Sequence, residues 1–493
     1  MKKITLVSLL FLAMQGFSQK LGKLPESTIP AIETETHLRF LASDELMGRK
    51  TGEQGNLVAS RYIAEQFHLL GLKPAAPNSS YLQPVPFKST KPVTEGSIAV
   101  GDSVLKILDD FIVVEGKSSD MHNVPVVFAN YGWVDDKGYD DYKDLDVRGK
   151  IVVVQLGTPD SKKPFEAIRA SDAKAKLAAD KGAVAIIEIF TAQMPWKNLL
   201  RFFTSESIKL ATDKVETTIP HIWVNAAKGG LFSKDRLKNV TMHTAEKKET
   251  NVLSYNVAGI LEGTDPKLKN EYIVLSAHFD HIGINHTNKT DSISNGARDN
   301  AFGVTAMLFA AKAFSQVRPK RSILFISYTG EEIGLLGSKY YVEHPLVPIK
   351  DCVFNLNCDG AGYDDMTKLT TIGLSRTDAK AELEVSAKAF GLTIGDDPAP
   401  EQNLFDRSDN VSFAAKGVPA PNFAPGMKTF GAEIMKYYHQ TSDNPETIDF
   451  PYLHKYCQAY AYGARLIANR ATAPKWIAGD KYEKAWQELF DKK

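Results

Sequence analysis

Cysteine is nearly absent: Cys352, Cys358 and Cys457 are the three in 493 residues. An odd number excludes a fully paired disulfide framework. Cys352 and Cys358 fall in one expected strand at an even spacing, so they share a face about 20 Å apart along the strand, too far to bridge. Buried free thiols are the reading that follows, and none has the partners of a nucleophile. Net charge is also missing. The 59 Lys and Arg balance the 59 Asp and Glu, for a formal net charge of zero, which removes any electrostatic argument for nucleic acid or an anionic membrane surface. The apolar run Ile4 to Met14 is too short to span a bilayer, so no stable membrane insertion is expected. No Gly-rich loop follows the first strand of the expected sheet, which excludes a nucleotide-binding α/β protein. There are no internal repeats and no low-complexity tract.

What is present is ordinary for a soluble globular protein, 43% hydrophobic and 24% charged. The length predicts two or more domains. Met1-Lys2-Lys3, the apolar run after it and Gly16-Phe17-Ser18 have the pattern of an export signal cleaved before Gln19. Export to the periplasm or the medium is the expectation. Residues 19–92 read as a lead-in and two helices, near Thr36–Leu46 and Leu57–Leu70. Residues 93–249 change texture: short β-type runs at 97–100, 111–114, 124–128 and 150–154, then one helix near 168–181 and a buried strand near 182–187. That stretch has no dense cluster of His, Asp and Glu beside strand ends, and it reads as an inserted domain without catalytic groups. Residues 250–493 alternate strands (272–277, 321–328, 351–358, 418–423) with helices (302–314, 332–343, 379–390), which argues for a mostly parallel α/β sheet.

Metal-competent side chains fall at the ends of successive strands. His278 follows Leu275-Ser276-Ala277, with Asp280 two residues on; Asp299 precedes the helix near Phe302; Glu331 and Glu332 follow Tyr328; Asp359 follows Cys358; His439 lies in a polar loop. In an open α/β sheet the carboxyl ends of strands converge on a ligand site. Any one of these residues reads equally well as a hydrogen-bonded loop residue or a helix cap. Together they offer two His, two Asp and a Glu, a donor set that suits zinc, and a bridging carboxylate suits two ions about 3.5–4 Å apart. Adjacent Glu331 and Glu332 need different tasks, one binding metal and one moving a proton.

These segments resemble the co-catalytic di-zinc aminopeptidase family, which also includes bacterial leucyl aminopeptidases and glutamate carboxypeptidase-like enzymes. The matching motifs are Ala277-His278-Phe279-Asp280-His281-Ile282-Gly283, Gly296-Ala297-Arg298-Asp299-Asn300, Gly330-Glu331-Glu332-Ile333-Gly334, Asp359-Gly360 and Tyr438-His439. The resemblance implies two zinc ions per chain, with His278 and Asp359 on one, Glu332 and His439 on the other, and Asp299 bridging. It implies Glu331 as general base and Asp280 as the partner orienting His278. It also implies a phosphorylase/hydrolase-like fold, mixed and mostly parallel. Tyr131-Gly132-Trp133, Tyr139-Asp140-Asp141-Tyr142 and Asp146-Val147-Arg148-Gly149-Lys150 resemble a protease-associated domain, which relatives carry as an insertion. Phe40 to Arg49 resembles the opening segment of exported members. In Phe405-Asp406-Arg407-Ser408-Asp409-Asn410, Asn410 stands where relatives often have histidine.

The implied activity is zinc-dependent hydrolysis of the N-terminal residue of peptide substrates, through a zinc-bridging hydroxide with Glu331 as base. Carboxypeptidase, dipeptidase and glutaminyl cyclase chemistry use similar sites, and a non-catalytic peptide-binding relative is the reading of a different class. Arg376 and Arg407 are the loop residues that could recognise a substrate carboxylate.

Overall fold

A computed structural model of the protein describes residues 24–161, 164–211, 219–233 and 238–490. The expected export signal, residues 1–18, lies outside them. The chain divides into two compact units: Met1–Val85 with Leu253–Lys493, and Pro86–Val252. Among the described residues, no helix is long and apolar enough to cross a membrane.

The first unit is built on a mixed sheet. Its strands are β1 (Glu249–Leu261, entering the unit at Leu253), β2 (Tyr272–His278), β3 (Ser322–Tyr328), β4 (Cys352–Cys358), β5 (Lys368–Ile372), β6 (Thr393–Gly395) and β7 (Asn422–Pro425). They lie in the order β6-β5-β7-β4-β2-β3-β1. The centre, β7-β4-β2-β3, is parallel, and β1 and β5 run antiparallel to their inner neighbours. Every residue of β3 and β4 is buried. That is why these strands read as unbroken apolar runs: helices cover both faces.

On one face lie α1 (Ala31–Leu41), α2 (Gln54–Leu69), α3 (Phe302–Gln316), α5 (Lys380–Ala389) and α7 (Phe450–Ala468), packed on Ile273, Leu275, Phe325 and Leu356. On the other lie α4 (Leu336–Glu343), α6 (Asn410–Ala415) and α8 (Glu483–Phe490), packed on Val274, Leu324 and Ile326. The chain steps from β2 to β3 through α3, then crosses back over β2 to β4 through α4. The carboxyl ends of β2, β3 and β4 therefore border a topological switch point, the place where α/β sheets hold their ligands.

Local details depart from the sequence expectations. The first helix is Ala31–Leu41 rather than Thr36–Leu46, because the residues from Asp44 to Arg49 form a tighter turn with Met47 and Arg49 at positive φ. The helix expected from Glu332 starts at Leu336. The carboxylate of Asp280 accepts the N–H groups of Glu331 and Glu332, and Leu335 sits at φ 62°, so this stretch turns before it coils. The strand expected at 418–423 is the shorter Asn422–Pro425. Cys352 and Cys358 do not share a face. The pairing of β4 with β2 slips between Cys352 and Phe354, which turns Cys352 to the α4 side while Cys358 packs on the α3 side. All three cysteines are buried free thiols.

The second unit, Pro86–Val252, holds a sheet in the order Ser103–Lys106, Gly96–Val100, Asn239–Thr244, Ser119–Phe128, Ile151–Gln155, Ala185–Phe190, His221–Asn225, Phe111–Glu115, with helices Pro164–Asp180 and Trp196–Phe203. The stretch set apart in the sequence, 93–249, falls inside it.

Candidate metal centre

His278 is the last residue of β2, and its ring is 1% exposed. Its Nε2 lies 3.3 Å from Asp299 Oδ1 and 3.3 Å from Asp359 Oδ1. Its Nδ1 lies 3.2 Å from the main-chain oxygen of Asp280. The Asp280 carboxylate is 3.7 Å from the same nitrogen, too far for a hydrogen bond. That carboxylate is occupied elsewhere, accepting from the N–H groups of Glu331 (3.1 Å) and Glu332 (3.3 Å) and from Thr51 Oγ1 (3.0 Å). The contact expected between Asp280 and the His278 ring is thus made by the Asp280 carbonyl. The side chain fixes the loop that carries the two glutamates.

Asp299 lies in the turn Ala297–Ala301 at the head of α3. Asn300 holds this turn, donating from Nδ2 to the carbonyl of Cys358 at 2.9 Å and accepting from Gly303 N–H at 3.0 Å. A β-carbon on Gly303 would lie 2.3 Å from both Asn300 Oδ1 and that carbonyl, so only glycine lets α3 approach the end of β4 this closely. Asp299 thereby reaches two imidazoles with its two oxygens, Oδ1 toward His278 and Oδ2 to within 3.3 Å of His439 Nε2. His439 Nε2 is in turn 2.9 Å from Glu332 Oε2. His439 sits at φ 57° in its loop, and that loop is tied to the Asp299 turn by Asp443, which accepts from the N–H groups of Arg298 and Asp299 and from Arg298 Nη1.

The candidates fall into two clusters joined at Asp299. One ligand atom from each of His278, Asp299 and Asp359 lies within 4.8 Å of the others, and the same holds for His281, Asp299 and Glu332. His281 stands in the His278 motif without an assigned role. Its Nδ1 is 2.6 Å from Glu332 Oε1, its Nε2 has no hydrogen-bond partner among the described residues, and its ring is fully buried. His439 instead lines the open pocket together with His278, Asp299, Glu331 and Asp359. Its place in the motif, three residues after His278, was the signal available for His281.

Two other residues, Arg49 and Asp409, stand in the quoted segments without a role of their own. Arg49 is buried, and donates to the carbonyls of Phe279 (2.7 Å), Asn295 (2.6 Å), Gly296 (3.0 Å) and Leu41, so it ties together the loops on either side of His281. Burial lowers its pKa to about 10, with Asp299, Asp443, Asp280 and Glu332 favouring the charge. Asp409, just before α6, is a buried carboxyl whose oxygens have no hydrogen-bond partner among the described residues. Burial pushes it up to about 7, opposed by the charge on His278.

The electrostatics are those of a site crowded with carboxylates. Burial lifts the Glu331 carboxyl well above its usual range, and Asp359, Asp409 and Glu332 add to this against His278. Burial works against ionisation of Asp299 too, but hydrogen bonds to His278 and His439 win and hold it far below the usual range. The same contest lowers Glu332, where His281 and His439 outweigh burial and Asp299. Both pocket imidazoles hold their protons. Burial opposes the charge on His439, yet Asp299 and Glu332 raise its pKa to about 10. On His278 burial is likewise outweighed, by Asp359 and Glu331. Several buried carboxylates converging on imidazole nitrogens form an arrangement that a divalent cation neutralises.

Residues 256–463 match the model of peptidase family M28. The chain is 28% identical over 212 residues to aminopeptidase YwaD of Bacillus subtilis, covering 40% of this chain and 41% of that protein. It is 27% identical over 245 residues to probable leucine aminopeptidase 2 of Aspergillus oryzae, covering 45% and 47%. The matches thus span under half the length of these relatives. Among solved structures, the aminopeptidase from Aneurinibacillus sp. strain AM-1 superposes with a TM-score of 0.55 at 22% identity over 92% of this chain and 97% of that one, a likeness of fold. The relationship drawn from the motifs is borne out by these matches.

Proposed function

We propose that this chain, matched to peptidase family M28 across residues 256–463, is a zinc-dependent aminopeptidase with two zinc sites sharing Asp299. The observation that carries the reading is the placement of Asp299, one oxygen 3.3 Å from His278 Nε2 and the other 3.3 Å from His439 Nε2, in a residue that both ligand clusters share. The donor set fits zinc: imidazole nitrogens and carboxylate oxygens with no thiolate. His278 and Asp359 would hold one ion, Glu332 and His439 the other, with His281 fixing Glu332 through Oε1. Zinc bound there supplies Lewis acidity toward water and toward the scissile carbonyl. The protein's own part is proton transfer and positioning. Glu331 lines the pocket beside both clusters, and its carboxylate takes a proton from the attacking water and returns it to the leaving amine. Asp280 sets the direction of Glu331 by holding its N–H.

The unit Pro86–Val252 is read as the protease-associated domain of such enzymes, on the strength of its Tyr131-Gly132-Trp133 and Asp146–Lys150 segments. The enzyme is read as exported, periplasmic or secreted, from its first eighteen residues, and its substrates as peptides. The test is a panel of aminoacyl-anilides beside the same compounds with blocked amines, with metal counted per chain. Hydrolysis of free-amine substrates at two zinc ions per chain is expected; cleavage restricted to N-blocked substrates would refute the aminopeptidase reading.

Zinc affinity is expected to depend steeply on pH. With their folded pKa values raised, His278 and His439 carry protons through neutrality, and a metal must displace them. Affinity therefore rises with pH, by roughly ten- to a hundredfold per unit for one or two protons released. In the metal-free protein the sign is opposite. The stability supplied by His439 is complete below its unfolded pKa and is lost as pH rises through about 10. Competitive chelator titrations at pH 6, 7 and 8 measure the slope, and a flat profile would contradict this protonation scheme.

A further inference from the structure

The pocket that contains His278, Asp299 and Glu331 has apolar walls, including Ile372, Leu404, Met427 and Phe430, and one guanidinium, that of Arg407, apart from its two imidazoles. The other candidate recognition residue of the sequence is committed elsewhere: Arg376 donates to both oxygens of Asp480 at 2.7 and 2.9 Å. Arg298 is held by Asp443 and by the carbonyl of Thr447. Arg407 differs from both. Its Nη2 lies 3.3 Å from the Tyr438 hydroxyl and its guanidinium carbon 5.6 Å from the centre of the Phe430 ring. Among the described residues, Arg407 is in no ion pair. Both neighbours are uncharged aromatic side chains, so neither spends the Arg407 charge. An exposed guanidinium that lines a pocket with no carboxylate partner keeps its planar fork of donors available to a bidentate anion.

We propose that Arg407 is a specificity-determining residue that pairs with a carboxylate of the bound peptide, making short or acidic peptides the preferred substrate class. The inference rests on the aminopeptidase reading for the direction of the peptide. Two sources share the chemistry: the C-terminal carboxylate of a short peptide, and an acidic side chain beside the scissile bond. The guanidinium on the pocket wall, apart from the residues assigned to metal, gives a peptide carboxylate a partner of opposite charge.

The experiment uses the full chain loaded with zinc and carrying Glu331→Gln, so that ligands bind without turning over. Calorimetry compares Leu-Gly with Leu-Gly-amide, and Glu-Gly-amide with Gln-Gly-amide, with Arg407 intact and after Arg407→Ala or Arg407→Lys. Expressing each result as a ratio within one variant cancels any general change in binding. With Arg407 intact the carboxylate form of one pair should bind about tenfold tighter than its neutral twin. Arg407→Ala should bring that ratio near one and Arg407→Lys should keep part of it. Preference in the first pair identifies the chain terminus, and in the second the acidic side chain. A ratio of one in both pairs, or a ratio that survives Arg407→Ala, overturns the proposal. Turnover of the same peptides by the protein with Glu331 intact separates the two readings. An intact ratio without hydrolysis defeats the aminopeptidase reading and leaves the carboxylate pairing standing; hydrolysis without a ratio does the reverse.

Discussion

Replacing Glu331 by Gln is expected to lower kcat by a factor of about 10²–10⁴, the range that a positioned acid–base group contributes, while zinc content stays at the level of the unmutated protein. The argument is one of shape against charge. Gln keeps the volume of Glu and its place after Gly330, and the N–H of residue 331 still donates to Asp280 Oδ1. Removed is the group that can accept a proton. Neither candidate ligand cluster includes Glu331, so metal binding should survive. KM should move little, because the interaction lost belongs to the transition state rather than to the bound substrate. The pH profile gives a second check. In the metal-free protein burial and neighbouring carboxylates hold Glu331 protonated far above its usual range. A base must be ionised, so a cation beside it has to bring that pKa down, and the acid limb of kcat/KM reports the result. A Glu331→Gln variant with near-normal kcat would remove Glu331 from the chemistry. One that lost zinc as well would make it a ligand.

How much of this was legible beforehand follows from where the information sits in the chain. His278, Asp299, Glu331, Glu332 and Asp359 were readable because each lies within a few residues of an apolar strand or helix, and strand order alone brings such ends together. His439 has no strand beside it. It reaches Asp299 through a loop clamped by Asp443 to the Arg298 and Asp299 amides, a contact some 145 residues apart in sequence. The motif pointed to His439, but spacing alone could not. Arg49 was illegible for a related reason: it is a cation that is fully buried and bonds only main-chain carbonyls, and no local pattern distinguishes it from a surface arginine. The early helix start at Glu332 and the shared face of Cys352 and Cys358 failed because both depend on distant partners. Asp280 takes the amides that would begin the helix, and β2 imposes the slip at Cys352. Local periodicity contains neither fact.

Asp299→Ala is expected to take both zinc ions with it and to lower kcat/KM by at least about a thousandfold, roughly 4 kcal/mol of transition-state stabilisation. Asp299 is the residue the two clusters share, with 3.3 Å contacts to His278 on one side and to His439 on the other. Removing any other ligand leaves one cluster intact; removing this one leaves each short of a carboxylate. It also removes the anion that helps hold the proton on His439, so the pKa of that imidazole should fall back toward its ordinary value. Asp299→Asn separates ligation from charge. The amide keeps one oxygen donor and the shape of the turn, so one zinc per chain should remain while the second is lost, because a neutral side chain cannot bridge two cations. The peptide unit that carries Asp299 is held independently, through Asn300 to Cys358 and through the Asp299 N–H to Asp443, so both variants should fold, with circular dichroism matching the parent. Metal analysis of the three proteins side by side then reads two, one and none. A full complement of zinc in Asp299→Ala would show that the ions, if bound, do not share this residue, and the bridged site would have to be abandoned.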